Sequence, residues 1–347
     1  MTHDELLARR LAAHHLSVFA STVQAARDLC GIQAQFLSSA LHALRIRSAD
    51  FTSEQARALL VKNWTLRGTV HIFSPDDLPL LLPCGEHYRS NVWDAPSFWN
   101  QRPDWALSPV RQAELTAVIM DALDAAPQTR DALKARCRAC GMTPDEEASM
   151  FHPWGGGLRE LCERGFANYV VCEEKTLTSC PPFTPLSREA AALALVRRYF
   201  THYAPATVHD AMYFFHAPAR EVTRCLSQLP VTSFTLDGRT YFSLDGVPSN
   251  VPDIPDCVFL AGFDPFVLGY EKKESLILSP AHLRRVFSLA GIISPSILLH
   301  GQLRAVWTRK GRSLSVTPFE PLSDCDKRQI CRAAESLWPD CDVRFCD

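Results

Sequence analysis

Leu66-Arg67-Gly68-Thr69-Val70-His71-Ile72-Phe73 follows sixty residues of helical pattern. It is rich in β-forming residues and alternates in part, which predicts a strand. Before it, Leu6, Leu7 and Leu11 recur at helix spacing, and Leu16 and Phe19 extend the series. A second helical run covers Val23 to Leu44 and a third covers Glu54 to Trp64, with Ser53 as its N-cap. Helices closed by a short strand are the order of a winged-helix module, predicted here over residues 1–80.

The order recurs twice. Arg111–Ala125 is helical, Thr129 opens a helix ending near Cys140, Gly155-Gly156-Gly157 is a break, and Leu158–Arg164 is a short helix before a strand at Asn168–Thr176. That predicts a second module over 81–187. Glu189–Tyr203 starts the third, 188–247. Thr207 N-caps a helix through Phe215, another helix covers Pro218–Gln228, and Phe234–Phe242 reads as a hairpin turning at Asp237-Gly238. The three share a pattern, not a residue repeat. Val247–Pro255, with three prolines, reads as a linker. Beyond it, 256–347 reads as a small β-rich α+β domain. Its expected elements are an apolar segment Cys257–Gly262, a hairpin across Gly301, a strand Ser313–Pro318 and a helix Asp324–Trp338. The predicted class is α+β, mainly helical: three tandem winged helices plus this domain.

Composition narrows the function. Of 347 residues, 47% are hydrophobic and 21% charged, which excludes wholesale disorder. No apolar run approaches a membrane span; the best, Leu289–Leu299, is broken by Gly291, Ser294 and Pro295. The first twenty residues carry Asp4, Glu5 and Arg9-Arg10 with no apolar core, so no signal peptide is expected, and a cytoplasmic, monomeric protein is. The thirteen cysteines are expected to be mostly small buried hydrophobes. The one C-x-x-C pair, Cys137 and Cys140, lacks a partner pair at zinc spacing, so no metal site is expected. Net charge is −2, yet 29 of 36 basic residues are Arg, suited to phosphate contacts or simply to a GC-rich genome.

The chain has no nucleophile elbow, zincin, Walker or dinucleotide motif. His14-His15 reads as a solvated helix face, and Glu146-Glu147 and Glu173-Glu174 as surface pairs. The chemically unusual segment is Gly31-Ile32-Gln33-Ala34-Gln35-Phe36, which sets two amides in an apolar stretch. On a regular helix the two would face about 200° apart; if Gly31 breaks the helix, they could share a face. From the residues alone, a pair of partly exposed helix glutamines is the plainer reading.

Four segments together resemble the AlkZ/YcaQ-type winged-helix DNA glycosylases. Gln33-Ala34-Gln35 resembles the family's Gln-Φ-Gln catalytic motif, with Ala34 a small filler. Trp64-Thr65-Leu66-Arg67-Gly68-Thr69-Val70-His71 resembles its W-x-x-R-G-T-Φ-H segment. Tyr203-Ala204-Pro205-Ala206-Thr207 resembles its Y-G-P-A-T turn, with Ala204 replacing Gly. Phe263-Asp264-Pro265-Phe266-Val267-Leu268-Gly269-Tyr270 resembles its F-D-x-Φ-Φ-L-G-Y block. The matches run from residue 33 to residue 270. The resemblance implies three winged helices and a β-rich domain around a DNA channel.

One branch of that family carries Asp at the second polar position of the motif; Gln35 places this chain with the other branch. An Asp can accept a proton from water and an amide cannot. Gln33 and Gln35 would therefore position water and stabilise charge, which suffices when the leaving base is cationic. The implied reaction is hydrolysis of the N-glycosidic bond of N7-alkylpurines, bulky adducts and interstrand crosslinks included, on double-stranded DNA, with no cofactor and no Schiff-base step. Lys62, the nearest lysine, is not expected to act. Arg67, Thr69 and His71 alternate along the predicted strand and would either line the cleft or satisfy hydrogen bonds within the module. Asp264 is expected either to be structural, bonding backbone amides, or to be a further supporting residue. Arg45, Arg47 and Arg198 are expected phosphate contacts, and Trp64 is expected in the core. Two alternatives stay open: a non-catalytic winged-helix regulator or lesion sensor, and a zinc or redox protein using Cys137 and Cys140.

Overall fold

The computed structural model describes residues 1–82, 102–153, 155–244 and 253–346. Of the expected linker, only 253–255 fall among them. The chain forms two compact units, Met1–Thr52 with Val196–Asp347, and Ser53–Leu195.

In the first unit, five strands order as Asp342–Phe345, Ser313–Pro318, Gln302–Lys310, Ser296–Leu299 and Cys257–Leu260. All pair antiparallel except the first two, which run parallel. Inward residues alternate along the strands, as a one-sided sheet requires. Phe259, Ile297, Ala305, Leu314 and Val316 meet Ile330 and Ala334 of the helix Asp324–Leu337. That helix has the expected Ser323 cap, completed by Asp326 as a capping box. The expected hairpin turns at His300-Gly301, both left-handed. The parallel strand Asp342–Phe345 was not expected.

The same unit carries the helices His3–Ala13, Thr22–Asp28 and Leu37–Arg45, and the sequence of helices and hairpin expected for the third module. These are the helix Arg188–His202 from Val196 onward, Val208–Phe215 with a Thr207–Asp210 capping box, Ala219–Leu226, and the strands Thr232–Leu236 and Arg239–Ser243. The hairpin turns at Asp237-Gly238 as expected.

In the second unit, Val61–Trp64 lies between Val70–Phe73 and Ala167–Tyr169, and Thr176–Ser179 and Gln128–Thr129 follow in that order. The helices Pro109–Ala125, Arg130–Ala139, Pro144–Met150 and Gly156–Glu163 pack a core of Leu115, Ile119, Leu133, Cys137, Leu158 and Cys162. Thr129 caps its helix as expected.

Four expectations change. The run Val23–Leu44 is two helices, Thr22–Asp28 and Leu37–Arg45, because Cys30 and Gly31 are left-handed and end the first. The helix expected to reach Trp64 ends at Leu59, and Val61–Trp64 is a strand. The strand expected from Leu66 begins only at Val70, since Leu66–Gly68 is a 3-10 turn with left-handed Arg67 and Gly68. The strand expected over 168–176 is two strands of a hairpin, Ala167–Tyr169 and Thr176–Ser179. In each case a short turn interrupts an apolar pattern that is continuous in sequence.

The densest polar contact in the first unit is Arg47 with Asp264, both fully buried. Arg47 Nη2 donates to Asp264 Oδ1 at 2.5 Å, and Nη1 donates to Oδ2 at 3.1 Å. Asp264 also accepts from the amides of Ala261 and Phe266, at 3.2 and 2.9 Å. Removing one partner strands a buried charge, a loss of about 3–5 kcal/mol. Asp264→Ala is therefore expected to lower unfolding free energy by that amount in urea denaturation, far more than removal of an exposed ion pair.

Candidate active site

The Gln33-Ala34-Gln35 motif occupies a built turn. The helix Thr22–Asp28 closes with Cys30 N–H on the Arg27 carbonyl (3.1 Å) and Gly31 N–H on the Ala26 carbonyl (2.8 Å), a Schellman closure. The chain then extends as the strand Ile32–Gln33, bends at Gln35 and Phe36, and enters the helix Leu37–Arg45. The glutamines are therefore not on one helix face. Gln33 is 7% exposed, whereas Gln35 is exposed. Ala34 is buried, so the small filler fits a packed position.

Side chains from distant sequence hold this turn. Tyr203 Oη donates to the Leu29 carbonyl at 3.0 Å, and Arg198 Nη1 donates to that of Arg27 at 2.9 Å. Tyr270 Oη donates to the Tyr203 carbonyl at 3.0 Å, and His14 Nε2 lies 3.0 Å from the same hydroxyl. Gly269 backs onto the Tyr203 ring so closely that a Cβ there would lie 2.5 Å from its Cε1. Three of the four recognised segments thus meet in one unit: the Gln turn, the Tyr203 turn and the 263–270 block. Phe36, half exposed beside Gln35, has its ring centroid 6.0 Å from that of Phe263. Sequence reasoning did not single out Phe36; an aromatic flanking the motif was the available signal.

The fourth segment lies in the second unit. His71 is buried, with Nδ1 2.9 Å from Thr65 Oγ1 and 3.1 Å from the Thr69 carbonyl. A nitrogen facing a carbonyl carries the proton, so Nε2 is left as an acceptor. Burial, assisted by the nearby Arg67 charge, lowers the His71 pKa to about 3. The ring is neutral at working pH and cannot serve as a general acid there. Thr69 Oγ1 donates to the Leu66 carbonyl at 3.2 Å. Left-handed Arg67 breaks the expected alternation, so Arg67, Thr69 and His71 do not form one strand face. Trp64, expected in the core, packs against it and carries the Arg159 guanidinium 4.0 Å over its ring. Arg159 is held by Glu163 at 2.7 Å; the pair is visible as i,i+4 spacing, but the burial of Glu163 is not.

Other expected site residues fall as follows. Asp264 is consumed by Arg47 and two amides, which assigns it to structure. Arg47, expected on phosphate as one of the scattered arginines, is instead fully buried in that pair. Arg45 is exposed, with a hydrogen bond to the Leu337 carbonyl, and Arg198 is half-buried. Lys62 is buried against the Cys172 carbonyl at 3.2 Å. His14, expected on a solvated face, is buried edge-on against Tyr203 and Phe266. Cys137 is buried, and burial raises its thiol to about 11, which weighs against its acting as the nucleophile of a redox pair with Cys140.

The family described as DNA glycosylase AlkZ-like matches residues 26–338. The chain belongs to the AlkZ-like DNA glycosylase family. It is a DNA glycosylase, and the resemblance read from the four segments holds over most of its length. A relative from Streptomyces sahachiroi, described as an interstrand DNA cross-link repair glycosylase, is 28% identical over 316 residues. That match covers 84% of this chain and 83% of the relative. The solved structure of Streptomyces sahachiroi DNA glycosylase AlkZ aligns over 100% of both chains with a TM-score of 0.79 at 23% identity, so the α+β fold is shared. No helix among the described residues is long and apolar enough to cross a membrane.

Buried neutral histidines make this glycosylase acid-sensitive. Burial lowers the His42 pKa to about 4 against the Phe259 hydrogen bond, and lowers His14 well below its usual range. An unfolded histidine titrates near about 6.5. Their contribution to stability is full above that value and fades as pH falls below it, for His42 from about 6.5 toward about 4. The urea midpoint is expected to drop between pH 7 and pH 4.5, with a shallower drop in His42→Gln, whose amide can still donate to Phe259.

Proposed function

We propose that this glycosylase hydrolyses the N-glycosidic bond of N7-alkylpurine nucleotides in duplex DNA, bulky adducts and interstrand crosslinks included. The observation that carries the reading is the Gln33-Ala34-Gln35 turn, which has no ionisable group and is braced by Tyr203 and Arg198. Gln33 is the buried amide of the pair and Gln35 the exposed one.

N7 alkylation makes the purine cationic. As the C1′–N9 bond breaks, the electron pair leaves with the base, which departs neutral. Water forms the new C1′–O bond and its proton passes to solvent, leaving an abasic site. An amide cannot accept that proton, but it can orient the water and stabilise the sugar as positive charge develops. No amine belongs to the motif, so the enzyme is monofunctional and needs no cofactor. His71, held neutral, is left as a supporting hydrogen-bond acceptor within its own unit. Arg45 and Arg198 supply phosphate contacts, and Arg47 drops out of that set. The architecture is read as three tandem winged helices and a β-rich domain acting as a cytoplasmic monomer. The Streptomyces sahachiroi relative, an interstrand DNA cross-link repair glycosylase, supports the bulky-lesion part of the reading.

The deciding experiment is base release from duplex DNA carrying one N7-alkylguanine, repeated on a crosslinked duplex. Wild type should release the base. Gln33→Ala and Gln35→Ala, folded by circular dichroism, should each be about 10²–10³-fold slower, the range for loss of a preorganised charge-stabilising group. Intact DNA binding with no release from either substrate would overturn the lesion assignment.

A further inference from the structure

We propose that His15, Asp28 and His202 form a binding site for a zinc-class divalent metal ion just ahead of the glutamine turn. His15 Nε2 lies 2.8 Å from Asp28 Oδ2, and His202 Nε2 lies 3.1 Å from Oδ1. One donor atom from each of the three lies within 4.8 Å of the others. Two imidazoles and one carboxylate are a borderline-soft donor set, suited to zinc rather than to magnesium or calcium.

Geometry around His15 adds a second argument. Its Nδ1 lies 3.3 Å from the Val18 carbonyl, which orients the ring with Nε2 toward Asp28. A metal ion held between Nε2 and the carboxylate would take the place of the proton they share, with Val18 orienting the ligand as outer-shell carbonyls do. Gln24 Nε2 donates to Asp28 Oδ1 at 2.6 Å, a matching outer-shell contact on the carboxylate.

Backbone placement is the third argument. His15 has φ +58° and closes the helix His3–Ala13, with its own N–H on the Ala12 carbonyl and Leu16 N–H on that of Leu11, both at 2.9 Å. Glycine ordinarily fills that left-handed position. Here it carries an imidazole aimed at Asp28, the last residue of the next helix, and His202 ends a third. The three side chains are 15%, 8% and 27% exposed, so the cluster is sheltered but open to a water ligand. Asp28 precedes Gln33 by five residues, so the ion would rivet the start of the motif turn without touching the reacting sugar.

The test does not depend on the lesion assignment. Full-length protein, stripped with a chelator and kept reduced, is titrated with Zn²⁺ against a chromophoric competitor and with Co²⁺ by absorption. One equivalent of Zn²⁺ should bind and raise Tm, and Co²⁺ should show d–d bands without a thiolate charge-transfer band. His15→Gly keeps the left-handed cap while deleting a ligand, and His202→Gln deletes another; each should weaken binding by at least about 10²-fold. Gln24→Ala should weaken it by about 10-fold or more, the scale of an outer-shell loss. No tight binding by wild type, unchanged binding in His15→Gly, or a thiolate band placing the metal on cysteine would each overturn the proposal.

Discussion

Arg47 and Asp264 sit in full burial, and that pair constrains the rest of the first unit. Moving two ions out of water costs several kcal/mol each, and only close geometry with further hydrogen bonds offsets it. Here the guanidinium meets both carboxylate oxygens, and Asp264 accepts two backbone amides besides. Those amides belong to Ala261 and Phe266, so the 261–266 backbone can take one course. That course leaves Phe263 left-handed with its ring beside Phe36, and leads to Gly269 under the Tyr203 ring. Tyr203 in turn reaches the Leu29 carbonyl at the head of the glutamine turn. A salt bridge some two hundred residues apart in sequence thus sets the frame on which the motif rests.

On the proposed reading of the motif the frame matters, because an amide is a weak catalytic group. With no proton to exchange, its contribution lies in where its dipole points, and a dipole helps only if it need not reorganise during the reaction. The Schellman closure, the tyrosine hydroxyl and the Arg198 hydrogen bond fix the backbone before Gln33. A second buried pair, Arg10 with Asp210 at 3.0 Å, repeats the device on the 203–210 turn, with Arg10 Nε also on the Pro205 carbonyl at 2.7 Å.

Much of this was legible in the sequence, and for physical reasons. Gly301 and the turn Lys310-Gly311-Arg312 marked the strands on either side of them, Gln302–Lys310 and Ser313–Pro318, because a turn is read from its own residues. Asp237-Gly238 marked its hairpin, and Thr129, Thr207 and Ser323 marked helix starts, because turns and caps are local interactions. Gln33, Ala34 and Gln35 stood out because amides in an apolar stretch need partners. What the sequence hid was non-local. Arg47 looked like a surface cation, since nothing near it in sequence announces Asp264. His14 and His15 looked like one solvated pair, yet one is core and the other faces Asp28. The alternation of Arg67, Thr69 and His71 implied a face that left-handed Arg67 and Gly68 remove. The sequence by itself determined the α+β class, several helix starts and hairpin turns, and the chemical character of the motif, because local propensity and side-chain chemistry do not depend on distant residues. Only the tertiary structure decided which charges are buried, which glutamine is exposed and what braces the turn, because burial and ion pairing depend on residues the chain brings together only when folded.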